Sequence, residues 1–365
     1  MIAERLATRS FRNLADAEVG LGEGLTVAWG ANGAGKTNLL EALYFGLTGR
    51  SCRTRRERET IAFGESLARS EVSLVPGPGE EAEPMRILAS VSTTEGRRRR
   101  VDGRDADATD DRRRPAVSVF MPDRLALVKG APAARRAHLD RLAGALWPGR
   151  AGDSAAYSQT LGQRNALIGR IRRGGGREQL AAWDRELAAR AVTLVETRSL
   201  AAAELTGPFA ESADGLGLEG GAELRYRPAT AELDAEAIAA ELASRHESDL
   251  ARGYTLWGPH RDEVELRRDG RALRRYGSQG QQRLGLLALL FAEREALQQA
   301  RRSLPLMLLD DVMSELDPTR RGRLVEMIGR GGQVLITATE PGHVPDAGAA
   351  ALMLAVAEGR IEGQG

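Results

Sequence analysis

The sequence predicts an α/β fold into which a second, mainly helical lobe is inserted. Three observations carry this reading. A glycine-rich loop, Gly30–Thr37, stands between an apolar strand-like run and an amphipathic helical run. Residues 133–250 switch to Ala, Leu, Arg and Glu at helical spacing. From Tyr254 the strand-and-turn style returns and includes a short apolar run ending in two carboxylates. A chain of 365 residues is long enough for about two domains. Its 42% hydrophobic content is enough for a core. One lobe is expected over 1–125 and 250–365, and the helical lobe over 126–249.

The elements follow in order. Alternation predicts strands at Ile2–Thr8 and Ala17–Leu21, and at Leu25–Trp29 up to Gly30. A helix is expected from Thr37 to Leu47, with Leu39, Leu40, Leu43 and Leu47 on one side. Short strands at Ser70–Val75 and Arg86–Ser92 alternate with Gly/Pro turns. The longest helical stretch in the inserted region runs near Arg177–Thr206. A further helix is expected from Gly280 to Arg301, followed by apolar runs at Leu304–Leu309, Gln333–Thr337 and Ala351–Val356.

Composition excludes several classes. Cys52 is the single cysteine, so neither an internal disulfide framework nor a cysteine zinc site is expected. The longest apolar run, Leu284–Ala292, is far shorter than the ~18 residues that cross a bilayer. The N-terminus has no secretory pattern. A cytoplasmic protein with no membrane association is expected. Lys+Arg is 52 against Asp+Glu 51, so any surface for a polyanion must be local. Only two of those cations are lysines, Lys36 and Lys129. Where arginine predominates, a retained lysine points to a place where an ammonium is needed.

Gly30-Ala31-Asn32-Gly33-Ala34-Gly35-Lys36-Thr37 fits G-x-x-x-x-G-K-[ST]. Glycines let the backbone curl its N–H groups towards phosphate oxygens, and the helix that follows adds its positive end. Lys36 is expected to reach the β- and γ-phosphates, and the Thr37 hydroxyl to bind Mg²⁺. Downstream, Leu306-Met307-Leu308-Leu309-Asp310-Asp311 reads as a buried strand ending in two carboxylates. Asp310 suits the metal, a hard cation that takes oxygen ligands. Asp311 is placed to polarise an attacking water. Ser278, Gly280 and Gln281 precede a long helix and form a second candidate anion site.

The order of phosphate loop, Ser278–Gln282 (SQGQQ), Leu308–Asp311 (LLDD) and Ser314–Asp317 (SELD) resembles the ATPase heads of the ABC and SMC class. More closely, the chain resembles the RecF family of bacterial recombination and repair proteins. The matching stretches include Phe11-Arg12-Asn13, Gly30–Leu43 (GANGAGKTNLLEAL), Leu127–Arg136 (LVKGAPAARR), Gln163-Arg164-Asn165, Trp183-Asp184, Gly258–Asp262 (GPHRD) and Leu308–Asp317 (LLDDVMSELD). The resemblance implies an ABC/SMC-type ATPase lobe and a helical lobe. With the longest helical stretch near 30 residues, no long coiled coil is expected.

The resemblance also implies ATP and Mg²⁺ as ligands, with weak ATPase activity. ATP would drive head-to-head homodimerisation, with Ser278 and the backbone after it completing the partner protomer's ATP site. Arg12 and Asn38 would join the nucleotide contacts. The family's role is gap repair, replication-fork maintenance and SOS induction. Its members bind DNA and act with RecR and RecO to help load RecA. DNA binding is expected to be sequence-independent and salt-sensitive. The Arg53–Arg58 and Arg97–Arg100 runs are candidates for tracking phosphates, although acids interleave with the first.

Two departures stand out. Asp311 occupies a position where many ABC ATPases carry Glu, and the shorter carboxylate predicts slow hydrolysis. Thr337-Ala338-Thr339 stands where transporter ATPases have a switch histidine, leaving a hydroxyl to sense the γ-phosphate. The alternatives are a transporter ATPase subunit and an adaptor that binds nucleotide without hydrolysing it. The missing histidine and the lack of a membrane-docking segment weigh against the first. His260 is expected to be a structural hydrogen-bonding group, and Trp183 and Trp257 core residues.

Overall fold

The computed structural model describes residues 1–230, 234–345 and 351–364. Two compact units emerge: unit 1 comprises Met1–Arg124, Gly215–Gly217 and Leu297–Gly365, and unit 2 comprises Leu125–Asp214 and Leu218–Ala296. The first boundary lies next to the expected one. The second differs: residues 250–296, expected with the nucleotide-binding lobe, group with unit 2. The reason is packing. The Glu263–Arg268 strand pairs with Ala222–Arg227, which lies inside the helical stretch.

Unit 1 contains two six-stranded sheets. The first is antiparallel and runs Ala17–Gly20, Ile2–Arg9, Leu67–Val75, Met85–Ser92, Gly96–Val101, Arg104–Asp105. Alternation along Leu67–Val75 buries Ala68, Ser70, Val72 and Leu74 on one face, as a half-buried strand requires. The second sheet runs Arg360–Gln364, Leu352–Ala357, Leu25–Trp29, Val334–Ala338, Leu306–Leu309, Val117–Phe120. All its neighbours are parallel except the hairpin formed by the first two. The strands Leu306–Leu309 and Val334–Ala338 are buried at every position, the continuous apolar pattern of a covered parallel sheet.

Lys36–Thr48 is a helix whose Leu39, Leu40, Leu43, Phe45 and Leu47 are fully buried. A helix apolar on nearly every side belongs inside a core, and this one shares its core cluster with residues of both sheets. Gly46 permits the close approach: a Cβ there would stand 2.6 Å from Val72 Cγ2 and 2.7 Å from Ser70 Oγ.

In unit 2 the helices Asp153–Ile171 and Leu180–Gly215 supply most of the apolar surface. The second has 36 residues, longer than the sequence suggests, because Pro208 is accommodated within it. The unit also contains a sheet that helical periodicity hides, Arg271–Ala272, Glu263–Arg268, Ala222–Arg227. Trp183 and Trp257 both pack against its apolar clusters, as expected of core residues. Arg164 is fully buried; it donates to Asp184 at 2.8 Å, and to Asp249 and Thr255 at 2.7 Å. Among the described residues no helix is long and apolar enough to cross a membrane.

Candidate nucleotide site

Strand register builds the site in unit 1. Leu309 pairs with Ile336 and Ile336 with Val27, so the carboxyl ends of three parallel strands lie side by side. Ligands of open α/β sheets bind at such ends. The central strand stops at Trp29 and the loop Gly30–Gly35 turns into the Lys36–Thr48 helix. Gly30, Gly33 and Gly35 have φ of 155°, 82° and 119°, which side chains other than glycine rarely adopt. At Gly30 space matters as well, because a Cβ would lie 2.0 Å from the Val356 carbonyl oxygen. Ala31, Asn32 and Gly33 are exposed, Ala34 is buried, and Thr37 and Asn38 are half-buried.

Lys36 folds back over the loop and donates from Nζ to the Gly30 and Ala31 carbonyls at 2.7 and 3.0 Å. Burial lowers its pKa, opposed by the nearby charges of Asp311 and Asp310. Thr37 Oγ1 donates to both Asp310 oxygens. Thr337 Oγ1 donates to Asp310 at 2.7 Å and accepts the Asp311 N–H at 2.9 Å. Burial raises the Asp310 pKa, the two threonine hydroxyls lower it, and the net shift is upward. Asp311 departs from the strand with φ 49°, and its buried Oδ1 has no hydrogen-bond partner. Such an orphaned oxygen is normally explained by an absent ion or water.

These residues fit Mg²⁺ and a phosphate chain. Hydroxyl and carboxylate oxygens converge, one carboxylate oxygen is unpartnered, and exposed loop residues with left-handed glycines stand beside them. Among the described residues no cluster of three or more His, Cys, Asp or Glu could hold a metal alone.

Two parts of the site escape the sequence. The hairpin turn Glu358-Gly359, with φ 49° and 80°, braces the phosphate loop. Gly359 donates to the Ala34 carbonyl at 2.8 Å and accepts from Ala15 at 2.9 Å. The signal available was a two-residue turn ending in glycine directly after an apolar run. The second part is Glu41, a fully buried carboxylate on the helix after the loop. It accepts both Nε and Nη2 of Arg12 at 3.0 Å and Nη1 of Arg53 at 3.3 Å. Arg12, a candidate nucleotide contact, is thus held in a bidentate pair. Asn38 and Asn13 extend this layer: Asn38 donates to Asn13 at 2.6 Å, and Asn13 to the Gly33 carbonyl at 3.3 Å.

Ser278 lies in unit 2. It forms a reciprocal cap with Gln281: its N–H donates to Oε1 at 2.9 Å and its hydroxyl accepts the Gln281 N–H at 3.3 Å. Gly280 has nothing within 4 Å of where a Cβ would stand, so packing alone does not call for glycine there. His260 accepts from Tyr157 Oη at 2.8 Å on Nδ1 and faces the Thr255 carbonyl at 3.1 Å through Nε2. Burial lowers its pKa to about 4, so it is a neutral structural group at neutral pH. Each member of the Arg97–Arg100 run has an acid within 4 Å: Glu57, Glu95, Asp111 and Asp105 in turn.

The chain matches the RecF/RecN/SMC N-terminal domain family over residues 2–362. It is 39% identical to the DNA replication and repair protein RecF of Anaeromyxobacter sp. (strain Fw109-5), over 93% of this chain and 94% of that one. The corresponding Geobacter sulfurreducens protein is 36% identical over 92% of both. Among solved structures, a recombination mediator protein RecF–ATP structure from the RecFOR pathway superposes with a TM-score of 0.86 at 26% identity, covering 100% of this chain and 98% of that one. An SMC head bound to the C-terminal winged-helix domain of ScpA shares the fold alone, with a TM-score of 0.59 at 16% identity over 100% and 97% of the two chains.

Proposed function

The chain belongs to the RecF family, and from that premise we propose that it is an ATP-dependent DNA-binding protein of recombinational gap repair, replication-fork maintenance and SOS induction. In this reading ATP binding drives head-to-head dimerisation and slow hydrolysis reverses it. RecR and RecO are the partners with which it helps to load RecA. It would act in the cytoplasm, without a membrane partner.

The observation that carries the reading is the convergence of Lys36, Thr37, Asp310, Asp311 and Thr337 at the carboxyl ends of parallel strands. The backbone of Gly30–Thr37, with Asn38, would cradle the phosphates. Lys36 would exchange its two carbonyl partners for phosphate oxygens, a charge-assisted contact stronger than the ones it leaves. Thr37 and Asp310 would hold Mg²⁺, which when bound neutralises charge on the phosphate oxygens. The free Asp311 Oδ1 would orient the attacking water. Thr337 ties the Asp310 carboxylate to the backbone N–H of Asp311, so a hydroxyl takes the place of a switch histidine. Arg12, fixed by Glu41, would present the guanidinium edge it does not use in that pair.

Neither candidate site encloses a phosphate chain by itself. Ser278, Gly280 and Gln281 would therefore close over the nucleotide of a second protomer, where the uncrowded Gly280 admits a phosphate. Phosphate release by wild type and Asp311→Asn tests the hydrolytic part. A slow wild-type rate that drops at least tenfold in the variant, with ATP still bound, supports it. Equal near-zero rates would leave a nucleotide-stabilised adaptor.

A further inference from the structure

We propose that the nucleic-acid backbone is gripped by an arginine-lined cleft in unit 2, beside the strand Glu263–Arg268 and the segment Arg271–Tyr276. The inference rests on the DNA-binding reading above and gives it a surface. The cleft has a volume of about 750 Å³ and is lined by Arg135, Arg227, Arg267, Arg271, Arg274 and Arg275, with only Glu263 and Glu265 as lining acids.

Half of these arginines have no carboxylate partner. Glu263 is committed to the buried Arg135, at 3.0 and 2.7 Å. Glu265 is shared at 3.9 Å between Arg227 and Arg267, which also meets Glu223 at 3.8 Å, while Arg267 Nε is buried without a hydrogen-bond partner. Arg271, Arg274 and Arg275 are exposed, and among the described residues no carboxylate lies within 4.0 Å of them. Arg274 is steered by its Nε, which donates to the Lys129 carbonyl at 3.2 Å. The second of the chain's two lysines is thus exposed at the edge of this cleft, next to the lining residue Val128.

Uncompensated guanidinium groups in a concave wall focus a positive potential and match paired oxyanions in two-point contacts. A phosphodiester chain supplies such oxyanions in series. Tyr276, 67% exposed and directly after Arg275, offers a stacking face for a base, which favours nucleic acid over an acidic peptide. The runs that look most basic in sequence do not compete equally, because Arg97–Arg100 are paired one by one with acids. The cleft segment ends two residues before Ser278, so a backbone held there bears directly on the segment assigned to the partner's nucleotide. Binding of DNA and of ATP would then be coupled in both directions.

The test is fluorescence anisotropy of the full chain with a labelled mixed-sequence duplex and a single strand, with ATP, across a salt series. Arg271→Glu/Arg275→Glu should weaken duplex binding at least tenfold at fixed salt. Its log–log salt slope should shrink by about two, roughly 0.9 for each phosphate no longer neutralised. Arg271→Gln/Arg275→Gln should move both in the same direction with the melting temperature unchanged. Arg98→Glu/Arg100→Glu should change affinity less than threefold. Unchanged affinity and slope in both cleft variants, beside a wild type that binds DNA, would overturn the proposal. A wild type that binds no DNA at low salt would instead overturn the reading beneath it. Poly-aspartate bound as tightly as DNA, and released in the same variants, would reassign the cleft to an acidic protein and also overturn it.

Discussion

Thr37 and Asp310, 273 positions apart, are joined by a hydroxyl that donates to both carboxylate oxygens at 2.9 and 3.0 Å. The pair links the helix after the phosphate loop to the end of the acidic strand. Asp310 also carries a pH dependence, which burial sets and the Thr37 hydroxyl opposes.

Burial raises the Asp310 pKa above 3.8, so the folded chain holds this proton more tightly than the unfolded chain does. The ionised carboxylate therefore lowers stability above its folded pKa, and that loss disappears as pH falls towards 3.8. Asp310→Asn should raise the melting temperature of the nucleotide-free protein at pH 7.5, by less as the pH is lowered. In the same variant Mg²⁺ should no longer tighten ATP binding. Calorimetry at several pH values and ATP titrations with and without Mg²⁺ check the two effects.

Gly359 lies far from the phosphate loop in sequence but supports it through Ala34. A Cβ at Gly359 would stand 2.0 Å from the Asn13 carbonyl oxygen, so backbone must shift. Gly359→Ala should cost about 1–3 kcal/mol in stability, the range for a forced strained backbone, and should weaken ATP binding. Gly103→Ala, also at positive φ but with nothing within 4 Å, is the comparison and should leave ATP binding unchanged.

Arg164 is fully buried and faces two carboxylates that are themselves 1% and 2% exposed. Removing one partner of a buried ion pair leaves uncompensated charge and costs about 3–5 kcal/mol. Arg164→Ala should lower the denaturant midpoint accordingly. A loss below about 1 kcal/mol would contradict the packing described for unit 2.

His260 is held neutral, with a pKa of about 4 set mainly by burial. The unfolded chain takes up this proton near 6.5, so the contribution to stability is complete above pH 6.5 and is lost as pH falls towards 4. His260→Gln should therefore flatten the pH dependence of stability between pH 7 and 5. NMR titration of the wild-type imidazole should show no protonation across that interval.

Much of the candidate site's framework was legible because its pattern is local in sequence. The Leu25–Trp29 strand has its expected bounds, and the helix expected at Thr37–Leu47 extends by one residue at each end. The apolar run before Asp310 and Asp311 likewise forms a strand. What was hidden depends on distant pairing or on residues that disguise their periodicity. Gly96–Val101 is a strand, but four consecutive arginines present the same residue to both faces and erase the alternation. Glu263–Arg268 alternates, with Val264 and Leu266 inward, yet its Glu and Arg positions resemble a helix surface. Nothing local in sequence marks Glu41, because its partners Arg12 and Arg53 come from other segments. The cleft arginines are scattered between positions 135 and 275, and only folding brings them together.

The central claim is that the ATP site is completed by two protomers, Lys36 of one and Ser278 of the other. Sedimentation velocity of wild type and Ser278→Arg, each with and without ATP, tests it most directly. Wild type should be monomeric without nucleotide and dimeric with ATP, because a ligand that bridges two protomers favours their association. Ser278→Arg should bind ATP with near wild-type affinity and remain a monomer. A wild type that stays monomeric at saturating ATP, or a Ser278→Arg variant that dimerises as readily as wild type, would contradict the account.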